Sequence, residues 1–153
     1  MGLDMYLTKK TYIGANYEHN EVVGTIELKS CGEVIPIKLN RVVSIDERIG
    51  YWRKANQIHR WFVDNIQGGE DDCKEYYVDI KKLKELVELC KQVANNPSLA
   101  DELLPSYKGC FFGSYEYDEW YFMDIHNTIA MLEPVIEEVE NSKGADIYYQ
   151  SSW

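Results

Sequence analysis

Alternating hydrophobic and polar positions predict strands in the first third of the chain. Residues 3–13 mix apolar and polar side chains as a strand with a turn would. Residues 22–44 hold two runs rich in β-branched residues, separated by a short glycine-containing link, which is typical of a hairpin. Pro36 lies inside the second run. Because proline donates no backbone hydrogen bond, we expect that strand to lie at a sheet edge or to carry a bulge.

From residue 48 onward, apolar positions recur at helical spacing. The stretch 48–66 contains no proline and is followed by a glycine pair, so we expect a helix that ends there. A second helix is predicted over 79–94, with Asp79 as its N-cap and termination before Pro97. The apolar stripe of this second helix consists of Leu83, Leu86, Val87, Cys90 and Val93.

The last third of the chain adds short elements around one long helix. The short elements are a helical turn near 98–104, a strand over 108–114 and a closing strand over 145–153. The long acidic helix runs over 118–141, and we expect Pro134 to kink or restart it. Antiparallel strands followed by helices, without regular βαβ alternation, predict an α+β fold. We expect residues 1–153 to form a single compact domain, an antiparallel β-sheet with about three helices packed against it.

Composition narrows the cellular setting and the class of partner. The 153 residues include 16 basic and 26 acidic side chains, a net charge of −10. Such a surface repels phosphate, so nonspecific binding to nucleic acid or to an anionic membrane is disfavoured, and any contact with an anion must be local. The sequence shows no membrane span and no secretory leader. Its four cysteines lack C-x-x-C spacing, which favours free thiols in a cytoplasmic protein.

The segment 48–63, RIGYWRKANQIHRWFV, is the exception to this acidity, because its sixteen residues include no carboxylate. It contains Arg48, Arg53, Lys54 and Arg60, and the rest of the chain has 12 basic against 26 acidic residues. Charge needed only for solubility would be scattered over the surface. Its concentration beside tryptophan and tyrosine predicts a site for a flat anion.

On a helix, this segment divides into an apolar stripe, an aromatic and polar arc, and a cationic arc. The grading predicts a pocket wall. Its candidate ligand-binding residues are Trp52 for stacking, Asn56 and His59 for polar edges, and Arg53, Lys54 and Arg60 for phosphate or carboxylate. The alternative is a purely structural amphipathic helix whose arginines pair with the acidic helix over 118–141.

The aromatic cluster 113–124, GSYEYDEWYFMD, is the second candidate part of the site. Its aromatic residues Tyr115, Tyr117, Trp120 and Tyr121 could close the pocket as aromatic walls, with Tyr117 or Tyr121 stacking on the ligand. The alternative is a structural strand-to-helix junction capped by Asp118. The consecutive carboxylates at 70–72 could hold a hard cation but lack the D-x-D-x-D-G pattern. The histidines show no zinc-ligand spacing, so the sequence predicts no metal and no cofactor.

Four stretches of the chain resemble a family of small uncharacterised proteins that bacteriophages and bacterial prophage regions carry. They are MGLDMYL at the start, GYWRKANQIHRWFVDNIQGGEDDCKEYYV in the centre, LLPSYKGCFFGSYEYDEWY further on, and YYQSSW at the end. The resemblance implies an accessory phage protein in the bacterial cytoplasm and brings no established activity. The positions of this sequence that match the motifs of the family are Trp52, Arg53, Lys54, Asn56, His59, Gln67, Asp72, Ser114, Tyr117, Asp118 and Tyr121.

The sequence favours a binding protein over an enzyme, since it contains no nucleophile elbow, no phosphate-binding loop and no G-x-G-x-x-G. The first hypothesis is a phage counter-defence protein that sequesters a nucleotide-like immune signal of the bacterial host. The second is an enzyme that degrades or modifies such a nucleotide, with His59 as general acid or base. The third is an inhibitor that binds a host protein through an acidic surface, residues 116–140. The tyrosine-rich surface leaves room for a homo-oligomer.

Overall fold

A computed structural model describes residues 2–14, 26–109, 112–142 and 144–153, and these ranges contain six strands and four helices. The strands are β1 (Asp4–Tyr12), β2 (Leu28–Ser30), β3 (Glu33–Ile35), β4 (Ser44–Arg53), β5 (Tyr76–Val78) and β6 (Ala145–Ser152). The helices are α1 (Asn56–Asn65), α2 (Ile80–Asn95), α3 (Ala100–Leu103) and α4 (Glu119–Asn141), with 3-10 turns at Leu39–Arg41 and Pro97–Leu99. The predicted α+β class is confirmed.

The main sheet has the order β4-β1-β6-β5, and every neighbouring pair is antiparallel. Asp4 pairs with Arg53 on one side and with Ser152 on the other, so the two terminal strands and the cationic segment meet at one end of the sheet. Along β1, Met5 and Leu7 are fully buried while their neighbours are partly exposed. This period-2 burial is the strand signal that the sequence carries in 3–13.

The helices bury their apolar stripes in one core with the buried residues of this sheet, and α2 packs along α4. The ring of Phe62 on α1 stacks on that of Tyr149 on β6, with centroids 3.9 Å apart and planes inclined by 7°. Asp79 caps α2 by accepting a hydrogen bond from the backbone N–H of Lys81, as predicted. The predicted stripe of α2 is buried throughout, at Leu83, Leu86, Val87, Cys90 and Val93. Each such side chain contributes about 1.5–3 kcal/mol of transfer free energy.

The prediction of one helix over 48–66 is wrong in its first half. Residues up to Arg53 belong to β4, the chain turns at Lys54, and α1 begins at Asn56. Burial alternates along the end of β4, where Gly50 and Trp52 are buried and Tyr51 and Arg53 are exposed. β1 pairs with this stretch in antiparallel register, with one irregularity at Ile49, and aromatic and β-branched residues suit a half-buried strand. The apolar, aromatic and cationic faces that we assigned to a single helix over this segment therefore do not apply to the residues before Asn56.

Other differences concern the ends of elements. The predicted hairpin is confirmed where it is described, as β2 and β3 joined by a turn at Cys31 and Gly32; residues 22–25 lie outside the described residues. β3 ends directly before Pro36. The strand predicted over 108–114 is wrong for its described residues, which form no strand, and 110–111 lie outside them. α4 continues through Pro134 as one helix. No helix in the described ranges is long and apolar enough to cross a membrane.

Candidate functional site

A cavity of about 430 Å³ lies between the junction of β4 with α1 and the amino-terminal turns of α4. We call it the junction cavity. Residues 53–57 form one wall, residues 113–116 form the second, and the first turns of α4 form the third. Four of the eight predicted ligand-binding residues line it: Arg53, Lys54, Asn56 and Tyr121.

The backbone at Lys54 and Gly113 shapes this cavity. Lys54 has a φ of 62°, a left-handed conformation that is strained for a residue with a side chain. Gly113, with a φ of 96°, packs against it; a Cβ there would lie 3.1 Å from Lys54 Cβ and 3.2 Å from the Lys54 carbonyl oxygen. Glycine thus permits the close approach of the 112–114 segment to the end of β4.

Asn56 holds the same wall together. Its Nδ2 donates to the carbonyl oxygens of Phe112 (3.2 Å) and Ser114 (2.7 Å), and its Oδ1 accepts from the backbone N–H of Tyr107 (2.9 Å). The side chain is almost fully buried. Because both N–H groups of the amide and one acceptor site of its oxygen bond to backbone groups, Asn56 positions the cavity wall. The contact with the polar edge of a ligand that the sequence predicts for Asn56 stays a prediction.

Arg53 and Lys54 are the two cationic residues that line the cavity. The Arg53 side chain is 63% exposed, and its Nε lies 4.0 Å from Asp4 Oδ1, the limit of an ion pair. Lys54 is exposed and forms no ion pair with any described residue. Neither cation pairs with α4, whose described ion pairs with α2 come from Lys84 and Lys91. Both charges are therefore available to an anion.

Asp124, on the second turn of α4, gives the cavity a carboxyl group of unusual acidity. Burial disfavours its charged form and raises the pKa of this carboxyl from 3.8 to about 6, while a hydrogen bond from Gln57 opposes the shift. Gln57 is itself buried, and its Nε2 also lies 3.4 Å from the Tyr121 carbonyl oxygen. Glu116 lies nearby and is exposed. The cavity is thus lined by two cations, Arg53 and Lys54, and by three carboxyl groups, Glu116, Asp118 and Asp124.

Trp120 provides the free aromatic surface. Its indole is 69% exposed beside the cavity, on the first turn of α4. Tyr121 is buried, donates its hydroxyl to the Leu104 carbonyl oxygen (2.8 Å) and packs edge-on against Tyr117, so it supports the wall. Asp118 caps α4 by accepting from the backbone N–H groups of Trp120 and Tyr121, as predicted. Stacking on a flat ligand would therefore fall to Trp120.

Trp52 and His59 do not line the cavity, and the prediction that they do is wrong. The Trp52 indole lies in the core and donates Nε1–H to Thr128 Oγ1 (2.9 Å). The His59 ring is fully buried between the Tyr149 hydroxyl (2.8 Å) and Asp71 Oδ2 (3.0 Å). Burial lowers the pKa of His59, although Asp71 opposes this. Strand geometry turns Trp52 inward, and α1 directs His59 toward β6.

The two remaining candidates lie at other surfaces. Arg60 pairs with Asp64 one turn along α1 (3.4 Å) and borders a separate depression of about 220 Å³. The Tyr117 hydroxyl donates to Asp101 (2.7 Å), and its ring borders a neighbouring groove on α4. Conversely, the sequence did not single out Gln57, and it offered Asp124 only as one carboxylate of the cluster 113–124. Carboxylates are so frequent in this chain that the pattern alone does not distinguish Asp124 from the others.

The carboxylates at 70–72 are used locally. Asp71 contacts His59 and accepts from the indole N–H of Trp153 (3.0 Å), and Asp72 pairs with Lys74 and accepts from the Tyr76 hydroxyl. Within the described ranges, no three metal-ligating side chains are grouped to hold an ion. These acids therefore connect the loop before β5 to the core.

No family model, curated protein or solved structure matches this chain. The geometry of the junction cavity is consequently the basis for assigning a function.

Proposed function

We propose that the junction cavity binds a small anion with an aromatic ring, of the nucleotide class. The observation that carries the proposal is that one cavity is lined by the exposed indole of Trp120, by the cations Arg53 and Lys54, and by a half-buried carboxyl, Asp124. The volume of about 430 Å³ falls within the range of small-molecule pockets, about 300–1,000 Å³.

A nucleotide carries groups that complement both the cations and the carboxyl groups that line this cavity. The Arg53 guanidinium can hold phosphate oxygens bidentately, with Lys54 as a second point charge. The base would lie on the Trp120 indole, as bases do on aromatic side chains elsewhere. Its N–H groups would donate to the Asp124 carboxylate, a pairing that carboxylates make with exocyclic amines of bases. The carboxylate also repels phosphate, and this repulsion fixes the orientation of the ligand.

Binding without turnover is the function that the described side chains favour. His59, the candidate general acid or base, is fully buried and engaged on both ring nitrogens. One observation favours turnover as a second candidate. The pKa of about 6 at Asp124 suits a general base near neutral pH, so an enzyme that attacks such a nucleotide would use Asp124 and not His59.

The biological role that we propose follows from the resemblance to phage and prophage proteins. An accessory phage protein in the host cytoplasm that held a nucleotide-like signal would lower the free concentration of that signal by mass action. Sequestration of this kind needs a tight site and no chemistry. It would act as counter-defence if the nucleotide activates host immunity.

Two measurements test the proposal. Native mass spectrometry of protein purified from bacterial cells should show a retained small molecule, and calorimetric titration with GMP, AMP and cyclic di-GMP should show saturable binding. Arg53→Gln should weaken binding at least about tenfold, because a charge-assisted contact contributes about 1.5–3 kcal/mol. Loss of a nucleotide peak over hours of incubation would favour the turnover alternative.

Arg48→Gln is the matched control. Arg48 lies on the same strand, outside the junction cavity, with its guanidinium carbon 4.6 Å from the Tyr6 ring centroid. We expect this variant to bind as the wild type does. The proposal fails if no nucleotide of the panel binds, or if both arginine variants lose affinity equally.

A further inference from the structure

Residues 26–43 form an arm outside the main sheet. It contains β2, β3 and the 3-10 turn at Leu39–Arg41, and all eighteen of its residues are exposed or half-exposed. Its exposed apolar side chains are Ile26, Leu28, Val34, Ile35 and Val43, with Val34 exposed by 55% and Val43 by 67%. Leu28 pairs with Ile35 and shares a face of the hairpin with it, whereas Val34 lies on the other face. An isolated two-stranded hairpin is marginally stable in water, and exposed apolar residues on it are typical of a segment that packs on a partner.

A groove on the amino-terminal half of α4 has the complementary chemistry. It has a volume of about 620 Å³, and Tyr117, Phe122 and Met123 supply its apolar lining. Its other lining residues are the carboxylates Asp118 and Glu119, and His126. Tyr117 and Met123 are exposed, so no other described residue of the same chain covers this surface.

Charge selects between possible occupants of this groove. The arm contains three basic and two acidic residues, a net charge of +1. Because the whole chain has a net charge of −10, the rest of it carries −11. Lys38 and Arg41 on the arm form no ion pair with any described residue. The arm is thus an apolar segment with free cations, and the groove is an apolar surface with carboxylates. The arm of one copy of the chain therefore complements the groove of another copy.

The groove and the arm belong to distant parts of one chain. The arm joins β4 at Ser44, whereas Arg53 at the other end of β4 leads to the junction cavity beside the groove. Ten strand residues span roughly 30 Å. Both surfaces are therefore exposed at once in a single copy, and two copies can cover each other's groove reciprocally about a two-fold axis, which closes the assembly.

We propose that the protein forms a two-fold dimer in which the arm of each protomer lies in the α4 groove of its partner. The inference does not depend on nucleotide binding. It has a consequence for that site, because Asp118 and Met123 border both the groove and the junction cavity. A docked arm would lie beside the mouth of the cavity.

Sedimentation equilibrium across a range of concentrations tests the assembly. The wild type should be dimeric, and Val34→Lys with Ile35→Lys should raise the dimer dissociation constant at least about a hundredfold, because two apolar contacts are lost and charge is buried. Both positions are exposed in the monomer, so thermal stability of the variant chain should hold. Tyr77→Lys, an exposed apolar position on the opposite sheet edge, is the control and should leave the dimer intact.

Cross-linking tests the register of the contact. Cys31 is a free, exposed thiol in the turn at the tip of the arm. In Glu119→Cys, oxidation should join Cys31 of one protomer to the cysteine introduced at position 119 of the other, as peptide mapping would show. Glu85→Cys on α2, away from the groove, should not form this link. A wild type that stays monomeric, or a dimer that survives the arm variant and cross-links equally from position 85, would overturn the inference.

Discussion

Lys54 and Gly113 lie against each other with their backbones both in the left-handed region, at φ values of 62° and 96°. Because Gly113 has no side chain, the loop before α4 can pack closely against the end of the strand that carries Arg53. The cavity is therefore built on a contact between two conformationally unusual residues, which are 59 positions apart in the sequence.

Gly113→Ala should destabilise the protein for two separable reasons. The left-handed conformation costs a residue with a Cβ about 1–2 kcal/mol, and the contact with Lys54 adds about 1 kcal/mol or more. Gly69→Ala is the control for the first term, because Gly69 has a φ of 86° and a Cβ added there would meet nothing within 4 Å. Urea unfolding should show the larger loss at Gly113. Equal losses would mean that the contact yields without cost.

Asp124→Asn should stabilise the fold and weaken the ligand. The pKa of Asp124 is raised from 3.8 to about 6, so the folded chain binds more protons than the unfolded chain between these values, and stability falls as pH rises through this window. Removing the carboxyl should raise the urea midpoint at pH 7.5 and leave it unchanged near pH 3.5. Its partial exposure limits the gain to about 1 kcal/mol.

The affinity for the ligand should decrease in Asp124→Asn, although the stability of this variant should increase. The Asp124 carboxylate accepts N–H groups of the base in the proposed complex, and an amide accepts only on one oxygen. Calorimetry at pH 7.5 should show weaker binding for Asp124→Asn, and wild-type affinity should fall as Asp124 is protonated below pH of about 6. Unchanged affinity would place the base elsewhere in the cavity.

The two tryptophans should separate function from folding. Trp120→Ala should remove nucleotide-dependent fluorescence quenching and shift the unfolding free energy by less than about 0.5 kcal/mol, because the indole is largely exposed. Trp52→Ala should cost about 3–5 kcal/mol, since it empties a core position and leaves the Thr128 hydroxyl without its donor. The reverse ranking would restore Trp52 to the binding site.

His59 should make the fold sensitive to acid. Its pKa is lowered by burial, so below its unfolded value of 6.5 the unfolded chain takes up a proton that the folded chain resists. Stability should therefore fall as pH decreases through this range, and the effect should be absent in His59→Phe. That variant should also lose about 2–4 kcal/mol, because Asp71 and the Tyr149 hydroxyl lose their shared partner. Urea unfolding at pH 5 and pH 8 measures both effects.

The parts of the fold that could be predicted are those where all local sequence signals favour the same secondary structure. α2 combines a capping aspartate, an unbroken apolar stripe and a proline beyond its end, and the structure confirms each. At 48–53 the rules compete. The residues tolerate a helix, but pairing with β1 supplies hydrogen bonds and buries Trp52, and no local pattern reports that partner.

The candidate site likewise contains residues that the sequence could predict and residues that it could not. Arg53 and Lys54 could be predicted, because the segment without carboxylates is apparent from the sequence alone. Asp124 and Gln57 meet only through the packing of α1 beside α4, and the burial that raises the pKa of Asp124 is a property of that packing. The inward turn of Trp52 and His59 likewise depends on which strand and helix carry them.

The central position of β1 has a consequence for the order of folding. Its partner β6 enters 148 residues later, where Ser152 pairs with Asp4, so during synthesis β1 leaves the ribosome long before one of its two edges can be satisfied. Only β4 can pair with it early. Contacts this distant in sequence slow folding, and they leave an apolar strand edge open until the last strand arrives. The nascent chain is thus a candidate for chaperone protection at β1, and release of β6 is the event that completes the sheet.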